Sequence, residues 1–455
     1  MKTIKYIATY AISIWAIDLF IINIAWAGIP VEHWSQPSGA QVYLVQSPAI
    51  PMVDVQLDFD AGSRRDPPSQ AGLASVTAAM ASKGLRAGDL PVEPAMDENA
   101  VGEAWADLGA SFVAHASNDR MSFSFRSLSY PDLLPRAATL AARQLAAPSF
   151  PADVWERERD GMQASLREAN TRPGTLAGRA FNQAVFGDHP YGFEMTPESL
   201  ARIEVSHMTA LYRQMIQPCR ATVTVVGAVD RPRADALVAQ LLARLPAVSG
   251  ATCPPLAEVA EVAPLMQASE RRIKFDSAQA HVLIGQPGFK RDDPDYFALT
   301  VGNYILGGGG FVSRLTNEVR EKRGLSYSVS SYFSPARHAG AFGIGLQTRP
   351  DQADQALQVS REVLARFVEQ GPTEDELKAA KGNLVGGFAL RIDSNRKLVD
   401  NVANMAWNKL PLDYLDTWTQ QVDRLTTADI RAAFQRKLQP QAMATVVLGG
   451  ATAKP

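Results

Sequence analysis

A guanidinium and a phenol seven residues apart, Arg320 and Tyr327, are the residues of this chain whose types best fit a reaction centre. They lie in Glu318-Val-Arg-Glu-Lys-Arg-Gly-Leu-Ser-Tyr-Ser-Val329, where Gly324 marks a helix end and Leu325 the start of a strand. Carried on adjacent elements, the two donors could converge on a peptide carbonyl, and would bind better still the oxyanion it becomes. The bland alternative is a helix-end salt bridge beside a half-buried tyrosine. Just upstream, Leu306-Gly-Gly-Gly-Gly-Phe-Val-Ser-Arg-Leu315 holds Gly307, Gly308, Gly309 and Gly310 in a row. Four glycines are entropically costly to order. The run is therefore either an ordinary flexible hinge or a backbone that must approach another chain or a ligand closely. The second reading makes these four glycines candidate substrate-binding positions. No Gly-Lys-Ser/Thr follows, so a phosphate cradle is excluded.

Elsewhere the chemistry is sparse. His33, His115, His189, His207, His281 and His338 are scattered, and no two sit four residues apart, so no helical face offers a pair of imidazoles. There is no Gly-x-Ser-x-Gly elbow. Ser394-Asn-Arg-Lys397 fits Ser-x-x-Lys, a common tetrapeptide whose partner motifs are missing. Residues 70–84 read as a short amphipathic helix with Ser75, Ala78 and Ala79 on one face. None of these three side chains can bind a metal or move a proton.

The elements that must position these residues fall into two similar halves. A fixed offset of 222 residues relates Tyr212 to Phe434, Gln217-Pro218 to Gln439-Pro440 and Gly227 to Gly449. Each copy reads as an amphipathic helix, a Gln-Pro stop and a buried β-branched strand ending at glycine. In the first half, strands are expected within 41–60 and at 121–128, and helices at 130–147 and 153–170. In the second, strands are expected at 281–285 and 327–332, and helices at 293–306, 350–370 and 373–394. Strands bunched with helices, without strict βαβ alternation, predict an α+β fold of two homologous domains, each a mainly antiparallel sheet packed with helices. The expected divisions are 1–27, 28–245, a Pro/Gly/Ser-rich linker at 246–264, and 265–455.

The 455 residues suit two domains, and 46% hydrophobic with 20% charged residues is a globular balance. A formal net charge of −2 argues against a nucleic-acid partner. Residues 1–27 read as a signal peptide: Lys2 and Lys5, a mostly apolar Tyr6 to Ile24, then Ala25-Trp26-Ala27. The apolar stretch is long and is interrupted by Asp18, so an uncleaved membrane anchor is the alternative. Export to the periplasm is the expectation either way. The two cysteines, Cys219 and Cys253, could pair there around a loop of 34 residues, in a structural role.

The Gly-rich run, Ser313-Arg314-Leu315, Arg320-Glu321, Gly324-Leu325 and Tyr327-Ser328-Val329 resemble the C-terminal half of the inverted-zinc-motif metallopeptidases. That family includes pitrilysin, insulin-degrading enzyme and mitochondrial processing peptidase. The first half is similar too, through Ala61-Gly-Ser-Arg-Arg-Asp66, Gly72-Leu-Ala74, Met80, Lys83-Gly84, His189-Pro-Tyr-Gly192 and Val225-Val-Gly-Ala-Val-Asp230. The resemblance covers nearly the whole chain after residue 27, in family order. It fails at one place: where active members carry His-x-x-Glu-His, this chain has Ser75-Val-Thr-Ala-Ala79.

The resemblance puts the third metal ligand at Glu156. One carboxylate without imidazoles cannot hold catalytic zinc, so Glu156 is read as an ion-paired helix residue and no metal is expected in this chain. The resemblance implies the non-zinc subunit of a bacterial heteromeric peptidase. Its partner would be a homologous zinc-binding subunit carrying His-x-x-Glu-His, and its substrates would be peptides. Arg320 and Tyr327 would face the partner's zinc, and the isolated chain would be inactive. The alternative is a catalytically inert binding or assembly protein of the same fold.

Overall fold

The computed structural model describes residues 28–88, 92–246 and 253–450. The signal-peptide segment and most of the Pro/Gly/Ser-rich run at 247–252 lie outside the described residues. Two sheets dominate. The first contains β1 (Glu32–Ser35), β2 (Gln41–Gln46), β3 (Met52–Phe59), β6 (Ser111–Ala116), β7 (Met121–Leu128) and β8 (Thr222–Gly227). A small ribbon, β4 (Gly84–Leu85) with β5 (Met96–Asp97), stands apart from it. The second sheet contains β9 (Ser269–Ile273), β10 (Ala280–Pro287), β11 (Val329–Phe333), β12 (Ala341–Thr348) and β13 (Ala444–Leu448).

The strand orders are β1-β2-β8-β3-β7-β6 and β11-β12-β10-β13-β9. Read from opposite ends, β2-β8-β3-β7-β6 and β9-β13-β10-β12-β11 have the same topology. Each sheet has one parallel pair, β2 with β8 and β13 with β9, and is otherwise antiparallel. The mainly antiparallel α+β architecture expected from the sequence is the one observed. The 222-residue offset relates helix Val205–Met215 to Thr427–Lys437, and the 3-10 turn Pro218–Arg220 to Pro440–Ala442.

Period-2 alternation explains how the first sheet faces its core. Met121, Phe123 and Phe125 on β7 and Val53, Val55, Leu57 and Phe59 on β3 point into one large cluster. The intervening positions of β3 are polar, and they are buried as well. Asp58 is fully enclosed, held by Arg120 at 2.9 Å and Ser122 at 2.5 Å, while Asp54 takes Arg126 at 2.7 Å. Carboxylates are tolerated at such depth only when paired in this way.

What buries that face is a helix from the other half. Helix Asn395–Trp407 packs on β8 and β3, with Leu398, Val399, Val402 and Met405 against Val45 and Val226. Reciprocally, helix Pro173–Phe186 lies on β10 and β13, where Ala180, Phe181 and Val185 meet Ala341, Ala444 and Val446. The two helices are repeat equivalents, since 173 and 395 differ by 222. Gly285 makes room for the first: a Cβ there would lie 2.6 Å from the Phe181 ring and 2.1 Å from the Phe342 carbonyl oxygen. Each half thus lends one helix to the other.

Several boundaries differ from the sequence expectation. The helix expected over 70–84 is only Leu73–Met80. It starts late because Gly72 has φ 103°, outside the helical region, and a 3-10 turn occupies Pro68–Gln70. The Asp66 carboxylate accepts hydrogen bonds from the Gly72 and Ala74 N–H groups at 2.9 and 3.0 Å and so fixes that start. Likewise the helix expected over 373–394 breaks after Gly386 into a 3-10 turn, Phe388–Arg391.

Candidate functional site

The site is built by the chain from Tyr304 to Phe333. Tyr304–Gly308 is a π-helical turn that continues helix Tyr296–Asn303, and Thr316–Glu321 is a second one. Wide turns of this kind recur where a helix must be re-aimed. The glycines between them serve this chain's own packing first. At Gly307 a Cβ would sit 2.5 Å from the Ser331 backbone nitrogen, and at Gly309 it would sit 2.7 Å from the Tyr304 carbonyl oxygen. Gly310 has φ 63°, and a Cβ there would meet nothing within 4 Å among the described residues. The close approach expected of this backbone is therefore made to β11. Gly307 is buried and offers nothing to a ligand, whereas Gly308 and Gly310 are exposed.

Ser313 and Arg314 hold the loop down. The Ser313 hydroxyl donates to the Gly310 carbonyl at 2.8 Å. Arg314 forks onto Glu376 with two bonds of 2.7 Å, donates to the Gly371 carbonyl at 3.0 Å and covers the Phe367 ring. Burial opposes ionisation of Glu376, but Arg314 and the Thr373 N–H outweigh it and hold the carboxyl below its usual range.

The second turn carries Arg320. Its neighbours Lys322 and Arg323 are both drawn to Glu318, at 2.6 and 2.7 Å. Among the described residues Arg320 pairs only with the adjacent Glu321, at 3.3 Å. The turn ends as the sequence suggests, with Gly324 at φ 60° and its N–H bonded to the Arg320 carbonyl at 2.8 Å. The strand does not begin at once. Ser326 reaches the Gln347 carbonyl at 2.6 Å, and the ladder starts only at Val329, so Tyr327 projects from an irregular segment. The Arg320 guanidinium carbon lies 4.7 Å from the centre of the Tyr327 ring and 4.8 Å from that of Phe311. Tyr327 is 82% and Phe311 73% exposed. The result is a cation held between two aromatic faces, opening outward, with no hydrogen bond to the Tyr327 hydroxyl among the described residues. Phe311 was missed as a site residue, although an aromatic directly after four glycines is a visible signal.

The helix that lacks the zinc motif is ordinary scaffold. Ala78 is buried, Ser75 is half-buried and Ala79 exposed, so the three do not form one open face. Among the described residues no three His, Cys, Asp or Glu side chains are placed to share a metal ion. Ser75, Ala78 and Ala79 offer no donor to zinc, and the residues present do not fit that metal. The reading of Glu156 as ion-paired is corrected: it is exposed and belongs to no ion pair among the described residues. The paired carboxylate is two residues on, because Glu158, not Glu156, faces Lys83. Lys83 bridges Glu158 at 3.0 Å and Glu98 at 3.2 Å, and Arg157 closes the network on both.

Other candidates resolve into structure. Ser394 caps helix Asn395–Trp407, and the Lys397 ammonium lies 2.9 Å from Asp393, so no serine–lysine pair forms. Tyr191 of the His-Pro-Tyr-Gly run donates to Asp119 at 2.5 Å and accepts from the His338 N–H at 3.2 Å, tying the two halves together. Arg64 is buried between Asp60 and Asp119. Cys219 and Cys253 form a disulfide with Cα atoms 5.6 Å apart.

Residues 41–196 match the family described as insulinase (peptidase family M16), and residues 202–384 match the peptidase M16 inactive domain. A solved structure described as a peptidase M16 inactive domain from Pseudomonas fluorescens is 34% identical, and the alignment covers 93% of this chain and 99% of that one at a TM-score of 0.86. An uncharacterized zinc protease of Streptomyces coelicolor is 26% identical over 407 residues, 88% of this chain and 86% of the relative. A Helicobacter pylori protein named non-peptidase homolog YmxG is 25% identical over 390 residues, 84% of this chain and 85% of the relative.

Proposed function

This chain belongs to peptidase family M16 and lacks its zinc motif, and from that premise we propose that it is the non-zinc subunit of an exported heteromeric peptidase. The observation that carries the reading is the outward-facing Arg320–Tyr327 pair in a chain with Ser75, Ala78 and Ala79 at the motif positions. A structural pair would have its phenol buried and bonded. Here the phenol is exposed, and among the described residues the guanidinium, 28% exposed, pairs only with Glu321.

The partner is a homologous subunit carrying His-x-x-Glu-His, whose zinc, when bound, supplies the activated water. This chain's own part is electrostatic. Arg320 and Tyr327 donate to the substrate carbonyl and hold the negative oxygen that develops there. Phe311 keeps Arg320 aimed, and the exposed backbone at Gly308 and Gly310 lies beside the peptide's path. Losing one donor of this kind typically costs about 3–4 kcal/mol of transition-state stabilisation.

Export is supported by Lys2, Lys5, the apolar run and Ala25-Trp26-Ala27. The Cys219–Cys253 disulfide belongs with an oxidising compartment. Among the described residues no helix is long and apolar enough to cross a membrane.

Mixing the purified chain with a zinc-bearing relative from the same cell tests the reading. The expected result is peptide cleavage by the mixture, none by this chain alone, and zinc only in the partner. Cleavage by the partner at an undiminished rate without this chain would support instead the inert assembly role.

A further inference from the structure

A cavity of about 760 Å³ opens where the first sheet, the linker and the β11–β12 loop meet. Its wall holds Arg64, Arg65, Arg220, Arg337 and Lys409 but only two carboxylates, Asp60 and Glu258. Asp60 is already taken by Arg64 at 2.5 Å and Arg65 at 2.7 Å, and Arg64 reaches Asp119 as well. Arg220, Arg337 and Lys409 form no ion pair among the described residues.

Two further observations single these cations out. The Arg220 Nε is buried and has no hydrogen-bond partner, while another nitrogen of the same guanidinium donates to the Pro254 carbonyl at 2.8 Å. A buried, unsatisfied donor on a charged group is costly, and the rest of this guanidinium is left without a carboxylate partner among the described residues. Lys409 has φ 53°, one of two non-glycine residues with positive φ among those described. It follows helix Asn395–Trp407 at the position where glycine would be the unstrained choice. Strain of this sort is kept where a side chain is needed.

We propose that this cavity binds a small multivalent oxyanion of the phosphate class, held by Arg220, Arg337 and Lys409. The forked guanidinium matches phosphate oxygens two at a time, and a lysine adds a point charge. The three cations come from the first half, the β11–β12 loop and the end of a helix lent by the second half. A bound anion therefore pins the two halves to each other and to the linker, and raises the stability of the whole chain by mass action.

The test is thermal unfolding and calorimetric titration of the intact chain with inorganic pyrophosphate, against sodium chloride at equal ionic strength and against citrate. The expected result is saturable one-to-one binding of pyrophosphate with a rise in Tm that chloride does not give. Arg337→Gln and Lys409→Gln each weaken that binding at least tenfold. Lys409→Gly separates site from scaffold: it raises the Tm of the ligand-free protein and still weakens pyrophosphate at least tenfold. No saturable binding, or binding unchanged in both glutamine variants, overturns the proposal. Tighter binding of citrate than of pyrophosphate overturns the phosphate class. All readouts use this chain alone, so the outcome is separate from that of the peptidase reading.

Discussion

The Arg320 guanidinium stands 4.7 Å from the centre of the Tyr327 ring, and the phenol beyond it is open to solvent. Neither residue is positioned by its own neighbours in sequence alone. Arg320 is aimed by a π-helical turn anchored through Arg314 to a helix 62 residues away, and Tyr327 by a segment tied to the end of β12. The pair is therefore a property of the second half's packing, and its geometry can be disturbed without touching either side chain.

Arg314→Lys keeps the charge but loses the fork onto Glu376 and the contact over Phe367. We expect a loss of about 1–2 kcal/mol in urea denaturation, the scale of a charge-assisted bond given up. In the mixed peptidase, activity falls with it, because the turn that aims Arg320 is released. Phe311→Ala, by contrast, removes one exposed face of a cation–π stack worth about 0.5–1 kcal/mol. It should lower the unfolding midpoint only slightly while lowering activity several-fold.

Phe181→Ala tests the exchange of helices. Phe181 belongs to the first half by sequence but is buried against the second sheet, over Gly285. Removing a buried phenylalanine costs about 3–5 kcal/mol. Hydrogen exchange should show the loss of protection in β10 and β13, not only in the first sheet. Protection lost solely within residues 41–227 would contradict the exchange.

Acid should loosen the join between linker and second half. Burial works against ionisation of Glu261, but Lys290 at 2.8 Å and the N–H groups of Ala339 and Val262 outweigh it and hold the carboxyl at about 2. The unfolded chain would titrate near about 4.3. A folded value below the unfolded one means that the ionised group stabilises the protein above that pH, and that this stability is lost as pH falls toward 2. Glu261→Gln should therefore lower stability at pH 7 and flatten its fall between roughly pH 4.3 and 2. Equal acid dependence in both proteins would refute this.

Much of the frame was legible in the sequence because it is local. The Gln-Pro stops, the β-branched strands and the alternation at Met121 to Leu128 are short-range patterns, and the 222-residue offset follows from repeating them. The lending of helix Asn395–Trp407 to the first sheet was not legible, since an apolar stripe says that a helix is covered but not by what. The length of the helix at Ser75 was overestimated because its apolar pattern runs on through Gly72, whose positive φ forbids helix there. The pairing of Lys83 with Glu158 and not Glu156 depends on a helix face that a run of alternating charges leaves ambiguous. Arg220, Arg337 and Lys409 share no sequence signal at all; only the fold brings them to one cavity.

The central claim, that this chain supplies transition-state donors to a partner's site, is tested most directly by the kinetics of Tyr327→Phe in the reconstituted peptidase. The substitution keeps the ring over Arg320 and removes only the hydroxyl. The expected result is a fall in kcat of about 10²–10³, with KM little changed and assembly intact, as for loss of one oxyanion donor. An unchanged kcat in a fully assembled complex would contradict it.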